Sequence, residues 1–212
     1  MRFHRNHSGL LIPDREFVPP GVCEMLMATQ YVGFGGSSKR EYQTLASAAL
    51  DANVYGGWQT YAMRQKIAAA ALLLNGTSQL RITFNADTDT GTPHTFAIDQ
   101  CYINHAAAAG NAWDFIGAPT QVTFSGGSAG FNLSANGSIV SDDITFTIDN
   151  TKALIVAFDW VDTGNQGCRG KATLTNWSVY YKAGVNEANV TAPAGYTTGA
   201  SNVAAISLIE AR

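Results

Sequence analysis

Leu80-Arg-Ile-Thr-Phe84 sets apolar side chains at every second position with Arg and Thr between them, the period of a strand that buries one face. The same grammar recurs outward from it. Downstream lie residues 95–103, 121–124, 130–133, 144–148, 153–160, 171–181 and 204–210; upstream, residues 58–67 alternate more loosely. Turn-forming residues separate these runs: Asp87-Thr-Asp-Thr-Gly91, Ser125-Gly-Gly-Ser128, Asn136-Gly137, Asp149-Asn150 and Thr163-Gly-Asn-Gln-Gly167. Many short strands without intervening long helices predict an all-β chain, an antiparallel β-sandwich or jelly roll with at most one or two short helices.

The first residues read differently. Pro13, Pro19 and Pro20 interrupt regular structure, and Tyr31-Val-Gly-Phe-Gly-Gly36 reads as a loop with aromatic anchors. Between them, Val22-Cys-Glu-Met-Leu-Met27 suits a short strand or one helical turn. Residues 39–50 give the best helical pattern, with Tyr42, Leu45, Ala46 and Ala49 on one stripe. A second short helical turn is expected at 68–74. The expected organisation is an extended N-terminal arm with a short helix over 1–57, followed by a sandwich over 58–212.

Composition narrows the function classes. Charged residues are only 14% of the chain, against roughly 25% in an ordinary soluble domain. Gly, Thr, Asn and Ser fill much of the rest, which suits subunits of an assembly. A net charge of −3 opposes a phosphate-neutralising surface, so no nucleic-acid partner is expected. No stretch approaches the ~18 apolar residues of a membrane span, and no signal peptide is expected at the N-terminus. Cys23, Cys101 and Cys168 lack the spacing of a zinc site and leave room for at most one disulfide, of unspecified pairing.

Several residues could carry chemistry or binding. His4, His7, His94 and His105 are the only histidines, and neither His94 nor His105 lies near a Gly-x-Ser-x-Gly elbow. Asp159 and Asp162 flank Trp160, and Asp142-Asp143 sits in a turn; both pairs suit turn capping better than acid–base catalysis. Asp87 and Asp89 open a segment like the start of a calcium loop, without the closing bidentate Glu. No cofactor is expected, and no enzyme. Trp113, in Gly110-Asn-Ala-Trp-Asp-Phe115, and Trp160 with Asp162 are the candidate glycan-binding residues: a flat indole stacks on a sugar's C–H face while acid and amide groups take hydroxyls. Trp177, near a strand end, is a candidate of the same kind, and filling the sandwich core is the plainer role for each indole.

The order Tyr61-Ala-Met-Arg64, Leu80-Arg-Ile-Thr-Phe-Asn85, Phe96-Ala-Ile98, Cys101-Tyr-Ile103, Gln121-Val-Thr-Phe-Ser-Gly126, Ser141-Asp142-Asp143 and Ala153-Leu-Ile-Val-Ala-Phe158 resembles the β-sandwich accessory domain that precedes the catalytic domain of some SGNH (GDSL-type) esterases. The hydrolase's Gly-Asp-Ser nucleophile block and its Asp-x-x-His have no counterpart here. The resemblance therefore implies the sandwich without the esterase. Free-standing sandwiches of this kind look like bacteriophage virion proteins, and the closing Val203-Ala-Ala-Ile-Ser-Leu-Ile-Glu-Ala-Arg212 looks like a terminal strand of phage structural proteins. That resemblance implies a non-catalytic capsid-decoration, head-fibre, tail or baseplate subunit, made in the host cytoplasm and partnered by copies of itself and other virion proteins. The alternative is a carbohydrate- or host-receptor-binding module of a phage tail, whose partner is a host-surface glycan.

Overall fold

A computed structural model describes residues 3–5, 11–13, 40–56, 60–88, 95–161, 167–184, 186–199 and 202–212. The chain forms two compact units, Met1–Arg40 and Glu41–Arg212. In the first, β1 (Phe3–Arg5) pairs antiparallel with β2 (Leu11–Pro13). The stretches expected as a loop at 31–36 and a short element at 22–27 lie outside the described residues.

The second unit is all-β. Its first sheet runs β3 (Gln43–Ser47), β17 (Ile206–Ala211), β6 (Gln79–Asn85), with β10 (Ser138–Val140) and β11 (Ile144–Thr145) sharing the far side of β6. The second sheet runs β15 (Thr197–Thr198), β14 (Trp177–Ala183), β5 (Tyr61–Ile67), β12 (Leu154–Trp160), β7 (Thr95–His105), with β8 (Thr120–Val122) and β9 (Phe131–Ser134) both on the outer side of β7. A smaller ladder joins β4 (Asp51–Gly56), β13 (Gly167–Lys171) and β16 (Val203–Ala204). All these ladders are antiparallel.

The two larger sheets share one core. In β6 the alternation is strict, with Leu80, Ile82 and Phe84 fully buried. Phe84 makes edge contacts with Phe124 at 5.8 Å and Phe158 at 5.6 Å, while Phe96 packs against Trp160 at 5.2 Å. Each such pair adds about 0.5–1.5 kcal/mol beyond its buried area. Gly130 is required where β9 enters: a Cβ there would stand 2.1 Å from the Ile98 carbonyl oxygen.

The helix expected over 39–50 is not formed; β3 occupies its centre. Pairing with β17 supplies the reason. The ladder shifts register between Ile209 and Glu210, so Leu45 is the extra residue, and Leu45 and Ala46 are buried consecutively. A bulge of this kind breaks the two-residue period and mimics a helical stripe. The middling helix propensities of Thr44 and Ser47 give way to sheet pairing. At 68–74, Ala69–Ala71 form one 3₁₀ turn. Residues 171–181 and 204–210, each read as one strand, are interrupted at 172–176 and at Ala205, whose φ is 61°.

Candidate functional site

β12 is buried along its whole length. Leu154, Val156, Phe158 and Trp160 face the sandwich core, while Ile155 and Ala157 belong to a second cluster with Ala106, Phe115 and Ala188. The outer side of this sheet is therefore roofed, and the roof is two loop segments, 106–119 and 186–196. Phe115 N donates to Thr191 O at 2.8 Å and ties the two segments together.

Two buried charges hold the roof. Arg64 on β5 donates from Nη1 to Trp113 O (2.8 Å) and from Nη2 to Glu187 O (3.1 Å) and Val190 O. Its guanidinium lies 4.2 Å from the Phe115 ring centroid and 5.6 Å from that of Tyr196. Asp159 on β12 accepts from Gln100 Nε2, Glu187 N (3.2 Å) and Ala188 N (3.3 Å). The segment from Glu187 to Val190 is thus gripped at its N–H groups by an acid and at its carbonyls by a base. Burial lowers the Arg64 pKa and raises that of Asp159, against the opposing effect of the three donors on the carboxylate. Burial also pushes the Tyr196 hydroxyl up to about 12.

Trp113 belongs to this roof. Its Nε1 donates to Pro193 O at 2.8 Å, and its ring stacks on Tyr196 at 5.8 Å and tilts against Tyr180 at 5.4 Å. It is half-buried. Trp160 is only 1% exposed, inside the core beside Phe96, so it offers no face to a sugar. Asp162 lies outside the described residues. Trp177 is 4% exposed and also a core residue. Of the two candidate indoles Trp113 and Trp160, the first therefore lies in the roof and the second in the core.

Next to Trp113 lies a recess that Trp177 also borders and whose polar lining the sequence pattern does not mark. Half-open and about 370 Å³ in volume, it is lined by Lys66, Thr175, Asn176, Ser178, Tyr180 and Asn202, among others. Lys66 Nζ donates at 3.0 Å to the carbonyl oxygen of Ala112, the residue before Trp113 in the 106–119 loop. The strand alternation that places Arg64 on the outer face also places Lys66 there, which is the signal that could have found it.

The remaining candidates have structural employment. Asp142 accepts from Thr123 Oγ1 (2.8 Å), Gly126 N (2.9 Å) and Gly127 N (2.9 Å), closing the 125–128 turn, and these donors lower its pKa. Ser141 Oγ accepts from Ile82 N at 3.0 Å. Asp143 pairs with Arg212 at 2.8 Å. His105 is buried, its Nε2 accepting from Asp149 N at 3.0 Å. Asp87 is buried against Gly167, while Asp89 and His94 lie outside the described residues. Among the described residues no three His, Cys, Asp or Glu side chains gather as a metal site. Cys101 and Cys168 are free and buried, which raises both thiol pKa values; Cys23 is outside the described residues.

No protein-family model matches the chain, and a search of curated proteins finds no match either.

Proposed function

We propose that this chain is a non-catalytic structural subunit of a tailed-phage virion, a capsid-decoration, head-fibre, tail or baseplate component that assembles with copies of itself. One observation carries the reading: the first forty residues form a compact unit of their own, distinct from Glu41–Arg212. That stretch holds Arg2, Arg5, Arg15, Lys39 and Arg40 against Asp14, Glu16 and Glu24, so it is net basic while the remainder is net acidic. Opposite signs on one chain favour association between copies and make it salt-dependent. The phage assignment itself rests on the resemblance of the strand order and the terminal segment. Light scattering on the full chain tests the assembly: a homo-oligomer whose mass falls as salt rises is expected, and a monodisperse monomer at low salt overturns it.

A second reading, a carbohydrate-binding module, is supported by the recess beside Trp113, where an aromatic ring, an ammonium, hydroxyls and amides share one small concavity. The two readings are compatible, since a virion subunit can both build and bind.

A further inference from the structure

Lys66 differs from the other described lysines. Lys152, Lys171 and Lys182 each meet a carboxylate, those of Asp149, Asp51 and Glu187. Among the described residues the ammonium of Lys66 meets only the Ala112 carbonyl. An ammonium has three donors, so two remain for a ligand at the edge of the recess. Around it stand Tyr180, with its ring steadied by Trp113, and the hydroxyl and amide groups of Ser178, Thr175 and Asn176. Asn176 is exposed and sits at φ 69°, which fixes the turn that borders the recess.

We propose that this recess binds one acidic sugar unit: a hydroxyl-bearing ring with a single carboxylate. The proposal rests on the carbohydrate-binding reading above and adds the charge of the ligand. The carboxylate takes Lys66 Nζ, the ring's C–H face lies on Tyr180, and Ser178 and Asn176 meet hydroxyls. The volume, about 370 Å³, lies near the lower end of the range for ligand sites, roughly 300–1,000 Å³, and suits one ring. One ammonium matches one negative charge, and the chain's net charge of −3 disfavours a polyanion.

The test is a calorimetric or heteronuclear NMR titration of the full chain with glucuronate, N-acetylneuraminate and glucose. At least one acid is expected to bind saturably, about fivefold tighter than glucose at low salt, the upper end for a partly exposed ion pair. The two acids separate a uronic unit from a terminal sialic unit as the source. Lys66→Gln is expected to reduce the acid to the affinity of glucose. Asn176→Asp, which tolerates the same left-handed backbone, is expected to weaken the acid and spare glucose. If glucose binds as tightly as both acids, the proposal fails while carbohydrate binding stands. If nothing binds, both fail. Acid binding unchanged in a folded Lys66→Gln chain also overturns the proposal.

Discussion

Arg64→Met keeps an unbranched apolar stem on β5 and removes the guanidinium that grips the roof. Three main-chain carbonyls, those of Trp113, Glu187 and Val190, lose their donor. Hydrogen bonds to a charged donor are worth about 1.5–3 kcal/mol each. Against that stands the dehydration of a fully buried cation, several kcal/mol in itself. Removing one member of such a buried arrangement typically costs about 3–5 kcal/mol net. For a folded unit of this size, each kcal/mol lowers the melting temperature by about 2–4 °C, so a fall of roughly 10 °C is expected by circular dichroism. The loss should also be local. The Glu187 and Ala188 amides, which donate to Asp159, are expected to lose hydrogen-exchange protection before the amides of β6 do, because the roof can lift without opening the sandwich. A melting temperature within about 2 °C of the parent, with unchanged exchange at those two amides, would refute the view that Arg64 holds the roof. Arg64→Lys should fall between the two, since a point charge cannot span three acceptors as a planar fork does.

Gly130→Ala forces a methyl to within 2.1 Å of the Ile98 carbonyl and 2.7 Å of Asp99 Cα; urea denaturation should show a loss of about 3 kcal/mol. Gly126→Ala, at φ 82° with open space around it, should cost only about 1 kcal/mol. Asp142 has its pKa lowered by Gly126 N and Thr123, so its contribution is present above the ordinary aspartate pKa of about 3.9 and is lost as pH falls through its lower folded value. Asp142→Ala should therefore be less stable at neutral pH and lose less of its stability in an acid titration. Asp159 has the opposite sign: its raised pKa means its contribution is full below that range and declines as pH rises through the folded value. Cys101 and Cys168 should stay unreactive toward a thiol reagent in the native chain, so that no more than one of the three cysteines reacts before denaturant is added.

The sandwich was legible because its central strands obey the two-residue period that a half-buried sheet imposes, β6 above all. β3 was not, because a bulge at Leu45 buries two successive residues and imitates a helical stripe. β12 was readable as a strand, but its continuous apolar run hid the fact that its second face is roofed by loops. Three segments that stand apart in the sequence meet in space: Ser141 and Asp142 bond to Ile82, Thr123, Gly126 and Gly127. A tryptophan near a strand end or loop with an acid beside it looks alike in sequence whether it fills the core, as Trp160 does, or lies nearer the surface, as Trp113 does. Lys66 is not legible in the sequence, because what sets it apart is the lack of a carboxylate partner among the described residues, which spacing along the chain does not encode.

The grip on the roof is made almost wholly through peptide groups of the loops: the carbonyls of Trp113, Glu187 and Val190 and the amides of Glu187 and Ala188. The side chains that do the holding, Arg64 and Asp159, belong to the strands. Mutations in the outward-facing positions of these loops, such as Asn189 or Ala192, therefore leave the mounting untouched. Such a surface can diversify at high rate under selection while the fold beneath it stays constant, which also makes it a natural place to graft foreign peptides for display.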